Sequence, residues 1–165
     1  MIKGAEINIY LCEQLYELDP ALCLNNDSAL QICGLLYDTL FKLDSKGKIT
    51  GSIAEKYEIK KDVKNDEYTM QITLRKDNKW SDGVNNVSAD DVVFAWKRIL
   101  DPSFNSEAAC LLYDIKNART AKEGDCSIDD VGIYADSRIL TIVFNGDVDY
   151  DRFLLNLTQP QSDRT

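Results

Sequence analysis

The chain has 165 residues, 44% of them hydrophobic and 28% charged, which is the balance of a globular sequence rather than a disordered one. Its 19 basic and 28 acidic residues give a net charge of −9, and that opposes binding to nucleic acid or to an anionic lipid surface, since both need a cationic face. Histidine is absent, which removes the commonest general base, metal ligand and pH switch.

In chain order, Ala5 to Leu11 read as a strand, with Ile7, Ile9 and Leu11 alternating against Glu6, Asn8 and Tyr10. Leu18-Asp19-Pro20 ends it, because proline fixes its own φ and extends the residue before it. Asp27 or Ser28 then caps a helix to about Phe41, with Leu30, Cys33, Tyr37 and Leu40 at helical spacing. Asp44-Ser45-Lys46-Gly47 is a turn. Ile53 to Lys60 and Tyr68 to Arg75 form an antiparallel hairpin, and in its second strand Tyr68, Met70, Ile72 and Leu74 share one face. Ser81-Asp82-Gly83 turns the chain. Ser88-Ala89-Asp90-Asp91 caps a helix carrying Val92, Phe94, Trp96, Ile99 and Leu100, which stops at Asp101-Pro102. A shorter helix covers Ser106 to Lys116, and Val131 to Tyr134 and Ile139 to Phe144 are strands. Thr158 to Thr165 is polar and without periodicity.

Nothing in the sequence assembles a catalytic centre. Asp90 and Asp91 complement the positive end of a helix dipole and point in different directions. The 44–47 turn lacks the alternating oxygen ligands of a calcium loop, and no nucleophile-elbow, Walker or Rossmann pattern occurs. Cysteines 12, 23, 33, 110 and 126 show no C-x-x-C spacing and read as reduced, buried thiols rather than a disulfide framework or a zinc site. Trp80, beside a turn, could offer a stacking platform, but packing in the core is the commoner fate of such a residue. No catalytic residue, metal ligand or cofactor is expected. No run of about 18 apolar residues could span a bilayer, and Met1-Ile2-Lys3-Gly4 opens no signal peptide, so an exported protein would stand here in trimmed form.

Seven segments in order carry a resemblance. They are Leu18-Asp19-Pro20, Leu36-Tyr37-Asp38-Thr39-Leu40, Ile53-Ala54-Glu55-Lys56-Tyr57, Tyr68 to Arg75, Lys79-Trp80-Ser81-Asp82-Gly83, Ser88-Ala89-Asp90-Asp91-Val92 and Trp96-Lys97-Arg98. Together they resemble the family 5 extracellular solute-binding proteins, the oligopeptide- and dipeptide-binding components of ABC importers. The resemblance implies an α/β fold of the periplasmic-binding-protein type II kind, here a mixed α+β portion of the first lobe with its inserted subdomain. Residues 1–48 would open the main lobe, 49–157 would form the inserted subdomain, and 158–165 would be an unstructured tail where the chain is truncated. The second lobe would be missing.

The resemblance also implies a function without catalysis. The ligand would be an oligopeptide or dipeptide, held largely through main-chain hydrogen bonds. The partners would be ABC permease subunits, and the place extracellular or periplasmic, at the cell surface, through a lipid anchor not in this chain. The family's ligand-facing loop corresponds to Cys23, Leu24, Asn25 and Asn26, which equally suit a plain loop leading into the helix cap. An aromatic contact of oligopeptide binders falls at Ala108, beside Glu107. The competing reading is a self-standing extracellular interaction domain without a transport role.

Overall fold

Strict alternation of large apolar and polar side chains puts one strand at the centre of the structure. In the computed structural model, which describes residues 8–160, β4 (Glu67–Leu74) buries Tyr68, Met70, Ile72 and Leu74 on one face. It lies between β3 (Ala54–Asp62) and β6 (Ile139–Val143), and β5 (Ile133–Asp136) completes an antiparallel sheet of order β3-β4-β6-β5. Ile72 sits opposite Tyr57 on one side and Leu140 on the other, which fixes the register that sends the apolar set inward.

Helix α2 (Ala89–Leu100) covers the sheet with Val92, Ala95, Trp96, Ile99 and Leu100, and Trp96 is fully enclosed. Its start is a reciprocal capping box: the Asp91 amide donates to Ser88 Oγ at 3.3 Å, and the Ser88 amide donates to Asp91 Oδ2 at 3.0 Å. Its end is set by Pro102, which holds Asp101 extended at ψ 128°. The Lys122 ammonium then donates to the carbonyls of Ile99 and Asp101, each at 3.0 Å, and to that of Phe104. One cation thus satisfies a carbonyl of the last helical turn, that of the cap residue and one of the segment that follows. Burial lowers the Lys122 pKa from its ordinary value.

Sequence and structure agree on the hairpin, on α2 and on the β5 and β6 strands, and differ in five places. The first predicted strand lies partly outside the described residues, and 8–11 form no strand; Tyr10 is 92% exposed and finds no ladder to join. Helix α1 runs only over Asp27–Leu36 and is capped by Asn26. Tyr37 to Leu40 are not helical, because Leu40 and Phe41 must reach the main core, and Phe41 opens strand β1 (Phe41–Leu43). β1 pairs with β2 (Ile49–Gly51) across the 44–47 turn. The region 106–116 holds a 3-10 helix, Glu107–Leu112, and Asn117 at φ 62° then breaks the chain before α3 (Ala118–Glu123). A further helix, α4 (Tyr150–Asn156), is capped by Asp149 and buries Phe153 and Leu154. Phe153 and Tyr150 meet Phe144 edge-on at 5.0 and 5.4 Å.

The main core joins residues from both sides of position 48: Ala21, Leu40 and Phe41 pack with the sheet and α2. A second, small cluster holds Cys23, Ala29 and Cys33. The expectation of buried thiols therefore fits Cys23 and Cys33, whereas Cys12 and Cys110 are exposed and Cys126 is in between. Trp80 is not in the core. It is half-buried on the wall of a mainly apolar groove of about 380 Å³, alongside Leu36, Ile53, Val87 and Val92.

Two glycines test the packing in opposite directions. A Cβ on Gly51 would stand 2.2 Å from the Ala54 carbonyl oxygen, while one on Gly34 in α1 meets nothing within 4 Å. Gly51→Ala should lower stability by about 1–3 kcal/mol, and Gly34→Ala should raise it by up to about 1 kcal/mol. Urea midpoints with unchanged slopes check both, and a Gly51→Ala protein as stable as the parent would contradict the close approach.

The turns make a second prediction. Asp44 accepts the amides of Lys48 and Lys46, and Asp82 accepts those of Val84 and Asn85. Asp101 is held by the hydroxyl and amide of Ser103, and Asp62 by the side chain and amide of Asn65. These bonds hold all four carboxyls below their ordinary pKa. Depressed carboxylates stabilise fully above the unfolded value of about 3.9, and that stability is lost as pH falls through the folded values. The thermal midpoint should therefore fall on acidification below about pH 4; a rise in that window would contradict the assignment.

Candidate functional site

The site grows from Leu18-Asp19-Pro20. Asp19 Oδ1 accepts the amide of Ala21 at 3.0 Å and so caps the 3-10 turn Pro20–Leu22, where the first residue, proline, has no amide to satisfy. The same carboxylate receives Arg98 from α2 through two prongs: Nη1 lies 3.2 Å from Oδ1, and Nη2 bonds Oδ2. A planar guanidinium fits a carboxylate in this way, and a lysine could not. The guanidinium also lies over Phe104, 4.2 Å from the ring centroid. The buried Ser106 hydroxyl donates to the Ala21 carbonyl at 2.5 Å. Segment 19–22 is thus tied both to the end of α2 and to the start of the 3-10 helix Glu107–Leu112.

Beyond it, Asn26 Oδ1 accepts the Ala29 amide at 2.7 Å as the cap of α1, and Asn26 Nδ2 donates to the Gln14 carbonyl at 3.3 Å. Asn25 Nδ2 donates to the Glu107 carboxylate. The loop and the 3-10 helix then enclose a shallow hollow of about 220 Å³, bounded by Leu22, Leu24, Asn25, Asn105 and Glu107.

Of the five positions expected at a ligand surface, two point inward. Cys23 and Ala108 are each 1% exposed, so neither side chain can touch a ligand here. Cys23 faces the Asp19 carbonyl, 3.0 Å from its sulfur, and Ala108 packs in the main core. Both are small residues that the surrounding segments close over. Leu24 and Asn25 border the hollow, and Asn26 spends its amide on capping. Glu107 and Asn105 join them from a distant part of the chain. The sequence held a signal for these two, since both follow the Asp-Pro that ends α2. Among the described residues, no group of three or more Cys, Asp or Glu is placed to hold a metal ion, and no helix is long and apolar enough to cross a membrane.

The Asp19–Arg98 pair is partly buried, with side-chain exposures of 17% and 34%. Asp19→Asn and Arg98→Met should each cost about 1–3 kcal/mol, because each leaves a partly buried charge without its partner. The double variant should cost less than the sum of the two, giving a coupling of about 1 kcal/mol or more in a denaturation cycle. Additive losses would show that the pair does not act as a unit.

The family described as bacterial extracellular solute-binding proteins, family 5 middle, matches residues 48–160. The chain is 32% identical over 145 residues to the oligopeptide-binding protein OppA of Bacillus subtilis (strain 168), covering 87% of this chain and 26% of that protein. It is 31% identical over 134 residues to a dipeptide-binding protein of Lactococcus lactis subsp. cremoris (strain MG1363), covering 81% of this chain and 24% of that one. The substrate-binding domain of an oligopeptide ABC transporter from Bacillus anthracis str. Ames superposes with a TM-score of 0.79 at 31% identity, over 89% of this chain and 27% of that structure. The chain therefore spans about a quarter of the length of the relatives it matches. These relatives are binding proteins rather than enzymes. The chain belongs to the bacterial extracellular solute-binding proteins of family 5.

Proposed function

We propose that this chain supplies one wall of a peptide-binding cleft in the substrate-binding component of an ABC importer, acting outside the cytoplasmic membrane with permease subunits as its partners. The observation that carries the reading is the hollow between Leu22, Leu24, Asn25, Asn105 and Glu107. Its lining residues follow two of the segments that carry the resemblance, Leu18-Asp19-Pro20 and Trp96-Lys97-Arg98, and related proteins are named for dipeptide and oligopeptide binding. In this reading residues 1–48 open the main lobe and 49–157 form the inserted subdomain.

The chemistry suits a peptide main chain. A carboxylate accepts more hydrogen bonds than the one it receives from Asn25, so Glu107 can take a peptide N–H or ammonium, while Asn25 offers both a donor and an acceptor. Leu22 and Leu24 give an apolar edge that tolerates many side chains. No step of catalysis and no cofactor is required. A wall of this size covers too little of a peptide to hold it tightly, since ligands are usually buried over most of their surface.

Titration of the chain with tetra-alanine, followed by amide NMR shifts, tests this. Shifts should cluster at 22–26 and 105–107 with a Kd of about 1 mM or weaker, and Asn25→Ala with Glu107→Ala should remove them. Micromolar affinity would contradict the one-wall reading. Shifts confined to the groove beside Trp80 would move the site there.

A further inference from the structure

We propose that Cys23 and Cys33 are the two halves of a disulfide that fastens the 22–26 loop to α1. Their sulfurs lie 3.7 Å apart, side by side in the same small cluster. A disulfide needs a sulfur separation of about 2.05 Å, so closure asks for about 1.7 Å of approach. The positions are local: Cys23 directly follows the turn Pro20–Leu22, and Cys33 lies in α1.

A second observation supports the pairing. The cluster around these sulfurs contains one other buried residue, Ala29, with Leu15, Leu30 and Tyr37 only partly buried against it. So little apolar surface gives this end of the molecule a weak core, the situation in which a covalent link stabilises most. The remaining cysteines are placed differently. Cys12 and Cys110 are exposed, and Cys126 lies 3.8 Å from the Asn117 carbonyl beside α3.

The oxidant is a disulfide of the small-molecule or protein class. One cysteine, as thiolate, attacks a sulfur of that disulfide and expels the first thiolate, leaving a mixed disulfide. The other cysteine then attacks the protein-bound sulfur, the bond between the two cysteines forms, and the second thiolate leaves. The two protons lost by the cysteines end on the two released thiols, and the two electrons reduce the oxidant. Burial pushes the Cys23 thiol up to about 12 and raises Cys33 as well. Thiolate attack from the closed fold is therefore slow, and the bond forms readily only before the loop closes on α1. The proposed function places the chain where such oxidants persist, but the pairing itself rests on geometry and is tested apart from transport.

The test refolds the fully reduced protein from denaturant in a glutathione redox buffer. Free thiols are then alkylated under denaturing conditions, and the chain is cut by an Asp/Glu-specific protease, which cleaves at Asp27 between the two cysteines. Mass spectrometry should find the Cys23 and Cys33 peptides linked, with Cys12, Cys110 and Cys126 alkylated. The thermal midpoint should exceed that of the reduced protein by about 5–12 °C and return on adding dithiothreitol. The Cys12→Ser, Cys110→Ser, Cys126→Ser protein should behave the same. Alkylation of both Cys23 and Cys33 after oxidative refolding, or pairing of either with another cysteine, would overturn the proposal.

Discussion

The two-pronged contact between Asp19 and Arg98 is the interaction on which the candidate site depends. It joins a turn near the start of the chain to the last turn of α2, 79 residues away. One carboxylate caps the turn and grips the guanidinium at once. Stacking of Arg98 on Phe104 and the Ser106 hydroxyl bond to Ala21 extend the same joint towards Glu107. An exposed ion pair adds little to stability, but a partly buried, bidentate pair within a network fixes position. Here that position is the turn Pro20–Leu22, whose last residue borders the hollow.

The rest of the fold is a support for this joint. β4, buried along one face, and α2, capped at both ends, form a rigid plate from which Arg98 projects. Lys122 closes the end of α2 just where Phe104 and Ser106 depart, so the segment leading to Glu107 is set by the same carbonyls. By contrast, the cluster around Cys23 and Cys33 is small and lies off the main core. The site therefore sits between a strong core and a weak one, which suits a loop that must meet a ligand.

Local signals in the sequence reached as far as local physics goes. The alternation in β4, the Ser88–Asp91 box and the proline after Asp101 each act over a few residues, and each appears as read. The end of α1 was not legible. Its periodic apolar residues continue to Phe41, but Leu40 and Phe41 are claimed by a core built from distant strands. The same holds for the candidate site. The resemblance pointed to loop 23–26 and Ala108, but only the folded chain shows that Cys23 and Ala108 turn inward and that Glu107 comes to Asn25 across 82 residues. The Asp19–Arg98 pair joins two of the segments that carry the resemblance, Leu18-Asp19-Pro20 and Trp96-Lys97-Arg98, and so gives a physical reason for both.

Amide hydrogen exchange across residues 19–30 tests the central claim most directly, compared between the parent protein and Arg98→Met. The amides of Leu22, Asn26 and Ala29 each have an acceptor within the joint or the cap that follows it. In the parent protein they should be protected, and in Arg98→Met their protection should fall by about tenfold or more while β4 amides stay unchanged. Unprotected loop amides in the parent, or equal protection in both proteins, would contradict an account in which this ion pair holds the site in place.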